Sequence, residues 1–330
     1  MQGLREALGL ACLLCVLAAC SPFSSEPYTT STEPAALMAL VRPGWQAAGP
    51  ESMILRTLRG ADASAPAETE RRSLQPVLIA PLSTTRLLLI VAGTPADAGG
   101  SRETGSSTPA SLDAYWFGKR GNRWYRIGEH EDFTRTGANG LPGELRTTAL
   151  DARRKALVIE NGSCRLGRCA RWLNLFAIGI ADMQPLLPNG EPVQLGAETD
   201  SPGERCRAML RMRPGSHGRM ALDEFSPRAG CHAITGRWYL ESRNDAPDRL
   251  TINLSGTRVT ARRVVVEPDE EEVDRRIEEA IARGGECCAP PPPVREEYLA
   301  TVNTVNSQIV YRYADGHYEA LSGSFPLPAL

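Results

Sequence analysis

The chain reads as a mainly β protein of antiparallel hairpins, sandwich- or propeller-like, with one surface α-helix near residues 269–283. Three observations carry this reading. Short apolar, β-branched and aromatic runs recur and are separated by turn residues. The 30 Gly and 25 Pro are spread through the chain, which implies many turns. One segment has helical periodicity with both of its ends marked.

The hairpins follow in order. Val77–Pro81 and Arg86–Ala92 are apolar runs flanking Leu82-Ser-Thr-Thr85, and residues 94–111 read as an exposed Gly/Ser/Thr/Pro loop. Ala114–Phe117 and Arg123–Ile127 flank Gly118-Lys-Arg-Gly-Asn122. Lys155–Glu160 and Arg171–Ile180 flank a turn that carries Cys164 and Cys169. Residues 183–204 again read as loop and mark a candidate split between two subdomains. Gly236–Glu241, Leu250–Leu254 and Arg258–Val266 read as a three-strand run. Gln308–Tyr313 and His317–Leu321 flank Asp315-Gly316, a strong hairpin signal because both turn positions need positive φ. The two aromatic hairpins look alike, but a propeller would need blades at a fixed period.

The helix is marked by Asp269 as N-cap, with Glu272 three residues on completing a capping box. Glu270, Glu271 and Glu272 sit at the positive end of the helix dipole. Glu271–Arg275, Glu272–Arg276 and Glu279–Arg283 are i,i+4 pairs in the favoured order. Val273, Ile277 and Ile281 make a narrow apolar stripe, which suits a helix lying on a sheet. Gly284-Gly285 ends it, and Pro290–Pro293 form a stiff spacer.

At 330 residues and 42% apolar content the chain can build a proper core. The formal net charge of −2 argues against a nucleic-acid partner, which calls for a basic face.

The first residues read MQGLREALGLACLLCVLAAC. The apolar run from Ala7 to Ala19 is too short to span roughly 30 Å of hydrocarbon as a helix, but it has the length of an export signal. It ends in Leu17-Ala18-Ala19-Cys20, and here the sequence resembles bacterial lipoprotein precursors, whose lipobox is an aliphatic residue, two small residues and a cysteine. Small residues let an extended backbone enter a peptidase cleft, and the thiol is the acceptor for a diacylglyceryl group. The resemblance covers residues 1–20 only. It implies a signal peptide over 1–19, palmitate-type acylation of Cys20, and membrane attachment through two or three acyl chains. Ser21, where an aspartate would favour inner-membrane retention, points to the outer membrane of the cell envelope, facing the periplasm. An ordinary signal peptide cut near the same place would instead release a soluble periplasmic protein. Residues 20–36, rich in Ser, Thr, Pro and Glu, read as a lipidated flexible tether with a reach of roughly 20–25 Å. The β-rich globular region then covers 37–330.

Beyond Cys20 six cysteines remain: Cys164, Cys169, Cys206, Cys231, Cys287 and Cys288. In an exported protein these are disulfide candidates. Cys164 can face Cys169 across a hairpin tip, and Cys206 can close a longer loop with Cys231. Cys287 and Cys288 are either a vicinal pair or bonded elsewhere. A zinc site from Cys164, Cys169, Cys231 and His232 lacks the usual spacing, so no metal or cofactor is expected.

No nucleophile elbow, phosphate loop, HExxH or EF-hand pattern is present, and no catalytic residue is assigned. Glu129-His130-Glu131-Asp132 is the densest cluster of titratable groups and reads as solvated loop charge. His217 sits in a flexible Gly-Ser-His-Gly turn. Trp116, Trp124, Trp172 and Trp238 fall in strands, as core residues or as a stacking platform for sugar. Two functions follow as expectations. One is a non-catalytic module that binds an envelope protein or glycan. The other is a surface-tethered hydrolase using Glu129, His130 and Asp132.

Overall fold

A computed structural model describes residues 26–47, 52–58, 68–98, 101–102, 105, 107–283, 295–324 and 326–327. The fold is mainly antiparallel β, in two sheets. The first five strands, β1 (Met53–Leu58), β2 (Glu68–Ser83), β3 (Arg86–Pro95), β4 (Ala110–Arg120) and β5 (Arg123–Thr136), form a meander in chain order. The second sheet holds β6 (Glu144–Ala149), β7 (Lys155–Arg165), β8 (Arg168–Ile178), β9 (Met183–Pro185), β10 (Val193–Thr199), β11 (His217–Ala221), β12 (His232–Arg243), β13 (Ala246–Val266), β14 (Arg295–Ala314) and β15 (His317–Ser322). Its order is β11-β14-β13-β12-β10-β8-β7-β6, with β15 beside β14 and β9 beside β8, and it curls into a half-barrel.

The unbroken apolar run of β3 has a physical cause. A strand covered on one face alternates, whereas a strand covered on both does not. Leu87, Leu89 and Val91 pack under α1 (Pro34–Val41) through its buried Leu37 and Met38. Leu88, Ile90 and Ala92 face the other sheet, where they meet Leu157, Ile159 and Phe176. Strands β7 and β8 are sandwiched in the same way. Their opposite face contributes Ala156, Val158, Leu173 and Leu175 to the interior of the half-barrel, alongside Leu250, Ile252, Ile309 and Tyr318. The two sheets therefore pack face to face, with α1 as an outer layer.

Turn chemistry holds where the sequence marks it. Asp315 has φ 49° and Gly316 φ 93°, both positive as the hairpin requires. The helix α3 (Glu270–Ala282), third after α1 and α2 (Glu204–Leu210), is capped as expected: the Glu272 amide donates to Asp269 Oδ1 at 2.8 Å. Among the described residues no helix is long and apolar enough to cross a membrane.

Several local expectations change. Leu250–Leu254 and Arg258–Val266 are halves of the single strand β13, so the expected three strands are two. Gly256 is not a turn residue. It lies so close to β12 that a Cβ would collide with the carbonyl oxygen of Ala233. The turn itself is Asn244-Asp245, at φ 50° and 59°. Residues 183–204 hold β9, a short 3-10 turn at Pro188–Gly190 and β10, which pairs with both β8 and β12. The expected tether is shortened too. From Glu26 the chain lies on the domain, with Thr29 and Trp124 exchanging backbone hydrogen bonds of 3.1 and 2.7 Å. Tyr28 stacks near Tyr125 at 5.8 Å, a contact that composition does not register.

Two disulfides close as expected. Cys164 and Cys169 are directly paired across β7 and β8, and Cys206 joins Cys231. The second sits in a small separate core with Met209, Met220, Phe225, Val259, Ala300 and Val302, under the far half of the β13–β14 hairpin. Cys287 and Cys288 lie outside the described residues, as does Cys20. Loop-closure entropy makes the 25-residue closure worth about 3–4 kcal/mol and the 5-residue closure about 2 kcal/mol. Urea titration of the Cys206→Ser/Cys231→Ser and Cys164→Ser/Cys169→Ser pairs should therefore show the larger loss for the first.

Candidate functional site

A cleft opens where the two sheets part, at the end of their seam. Apolar residues on the seam face of β7 and β8 give way to Asn161, Trp172 and Asn174. Thr136, the last residue of β5, reaches across from the first sheet. Its hydroxyl accepts from Asn161 Nδ2 at 2.6 Å and from Asn174 Nδ2 at 3.3 Å. Thr136 and Asn174 are buried, so this network is sheltered from water and its geometry is fixed. Two adjoining cavities, about 490 and 220 Å³, share Trp172, Ser163 and Gly137 in their walls. The smaller is completed by Pro109, Asn161, Asn174 and Pro192, the larger by Ser107, Cys164 and Arg165. The Cys164–Cys169 bond locks the β7–β8 tip that forms one wall.

The tryptophans divide by environment. Trp116 is fully buried in the seam, and Trp124 is buried with Lys119 5.4 Å from its ring. Trp238 is committed to structure, donating from Nε1 to Glu160 Oε1 at 2.9 Å with the Arg146 guanidinium 5.1 Å from its ring. Trp172 is half-buried and lines the cleft. An indole face bordered by amides, hydroxyls and guanidinium offers both an apolar plane and hydrogen-bonding groups. That pairing matches a pyranose ring, with its C–H face and its rim of hydroxyls.

Glu160 faces the other way from Asn161 on β7. Burial opposes its ionisation. Hydrogen bonds from Trp238 and Arg146, with the charges of Arg146 and Arg171, outweigh burial and hold the carboxyl below the usual carboxylate range. This ion cluster ties β6, β7, β8 and β12 together across the half-barrel.

The other candidate groups are dispersed. Glu129, His130 and Asp132 lie in strand β5 and not in a loop, because β5 runs on to Thr136. Glu129 pairs with Arg126 at 2.7 Å, Asp132 pairs with Arg135 at 2.7 Å, and His130 Nδ1 accepts from the Met183 amide at 3.0 Å. His217 begins β11, with its ring 3.0 Å from the Thr301 hydroxyl. Ligand atoms of Cys164, Cys169 and Asp200 lie within 4.8 Å of one another, but both sulfurs are tied in the disulfide. The cleft itself escaped sequence reasoning. Its readable signals are Trp172, one of four strand tryptophans offered as core or stacking platform, and Asn174, a lone amide within Leu173-Asn-Leu-Phe-Ala177. Comparison with family models, curated proteins and solved structures finds no match to this chain.

His232, beside the Cys206–Cys231 bond, is buried, and its Nε2 has no hydrogen-bond partner among the described residues. Burial lowers its pKa, as do the nearby charges of Arg168 and Arg258. A base with a depressed folded-state pKa binds its proton more readily when unfolded. Stability is therefore complete above its unfolded value of about 6.5 and falls as the pH drops below it. Unfolding free energies from urea titration should decline between pH 7 and pH 5 in the wild type, by at most about 1.4 kcal/mol per pH unit from this group, and His232→Gln should flatten that decline.

Proposed function

We propose that this chain is a lipid-anchored protein of the bacterial cell envelope that acts as a non-catalytic binding module, with the Trp172 cleft as its site and an envelope glycan as its ligand. The single observation that carries the reading is the cleft: a half-buried indole beside two asparagine amides oriented by one buried hydroxyl. Such a site binds through stacking and fixed hydrogen bonds and needs no nucleophile. The lipobox at Leu17–Cys20 and the export signal before it support the anchored, periplasm-facing location. The two disulfides suit an oxidising compartment. A surface-tethered hydrolase has less support, because Glu129, His130 and Asp132 are engaged in separate local contacts along β5.

Two experiments test this. Binding to an array of envelope glycans, including muropeptide and chitooligosaccharide fragments, should be detectable. Trp172→Ala should weaken it at least tenfold while the unfolding midpoint stays near that of the wild type. Equal binding by both proteins, or no glycan bound, sinks the ligand assignment. Independently, Cys20→Ala should lose acyl labelling and leave the membrane fraction, and a variant that fractionates unchanged removes the anchor.

A further inference from the structure

The tip of the β4–β5 hairpin bears features that the cleft does not explain. Lys119, Arg120 and Arg123 crowd its turn, and the adjacent β2–β3 turn adds Arg86, the two turns being joined by the Lys119 amide donating to Thr85 O at 2.9 Å. Arg120 is 70% exposed and pairs with Glu26 at 3.2 Å. The Arg123 guanidinium lies 4.2 Å from the Tyr28 ring centre, and that of Arg120 lies 5.1 Å from the Tyr125 ring centre. Exposed apolar groups stand at the same end. Ile127, 43% exposed, lies against Gly118, and Ile180, 76% exposed, presents its carbonyl to Arg86 at 2.8 Å. Glu26 and Asp182 offset part of the charge, and the cations remain in excess.

Cations, amphipathic aromatics and protruding aliphatic groups on one surface are what a lipid–water interface accommodates. Lys and Arg meet phosphate, Tyr sits at headgroup level, and isoleucine enters the acyl boundary. Position supplies the second observation. The segment that docks on this tip, Glu26–Thr29, is the part of the described chain nearest Cys20. Six residues at full extension cover no more than about 20 Å. Acylation of Cys20 would hold the tip at that distance from the bilayer or closer, which lets it approach to within the roughly 8 Å over which the surface potential acts.

We infer that the β4–β5 tip is the membrane-facing end of the protein and docks on the anionic headgroups of the leaflet that holds the lipid anchor, fixing the domain's orientation. The inference rests on the lipidated reading of Cys20. Each cation near an anionic leaflet strengthens association roughly fivefold, so a few suffice to bias a domain already tethered.

The test uses the full acylated protein in vesicles of phosphatidylcholine with about one third phosphatidylglycerol, carrying lipid-attached quenchers. A fluorescent amino acid replaces Asn122 at the tip or, as control, Glu278 on α3. Quenching at 122 should exceed that at 278 severalfold. It should fall to the control level in 0.5 M salt (on the order of a 4 Å screening length), in pure phosphatidylcholine, and in the Lys119→Glu/Arg123→Glu variant. The salt arm needs no substitution and stands if that variant misfolds. Equal quenching at the two positions, or indifference to salt and lipid charge, overturns the docking while leaving the anchor intact. Absence of acyl mass on Cys20 overturns both.

Discussion

Leu157, Ile159 and Phe176 of the curled sheet press against Leu88, Ile90, Leu112 and Trp116 of the meander, and the rest of the molecule is arranged around that contact. Because β3, β7 and β8 are covered on both faces, a one-residue slip in any of them would exchange two buried sets of side chains at once. The register is thereby held from both sides. The seam ends where Asn161 and Asn174 replace apolar residues, and the sheets can separate there because those amides have Thr136 to bond with. The cleft is the place where the constraint is released.

Polar groups inside the half-barrel follow the same logic. Glu160 would be costly to bury alone, and its cluster with Arg146, Arg171 and Trp238 supplies the partners that make burial tolerable. Tyr311 and Tyr318 take the opposite course. Burial pushes the Tyr311 phenol up to about 12 and raises that of Tyr318 well above its usual range, so both stay neutral in the core. The far half of the β13–β14 hairpin has its own small core, and the Cys206–Cys231 bond lies within it.

Three ends of the molecule serve different purposes in this picture. The seam end carries the Trp172 cleft, the β4–β5 tip carries cations and the docked Glu26–Thr29 segment, and the long β13–β14 arm carries α3. In α3, Val273 and Ile277 are half-buried and Ile281 is exposed, as its narrow stripe implies. On the function proposed above, anchor, tip and cleft would make a module held close to a surface with its groove placed by the fold.

The sequence by itself determined the features that are local. The hairpins at Asp315-Gly316 and Gly118–Asn122, the Asp269 cap and the Cys164–Cys169 closure all depend on residues a few positions apart, so propensity and turn chemistry suffice to read them. Only the tertiary structure decided which faces meet. Thr136, Asn161 and Asn174 lie on three strands with no periodic signature that joins them, and Gly256 looks like a turn until β12 is seen lying against it. Glu26–Thr29 reads as tether because Glu-Pro-Tyr-Thr cannot show, without Trp124 and Arg123 beside it, that it has a surface to bind. Long-range pairing carries that information, and a strand's own sequence does not name its partner.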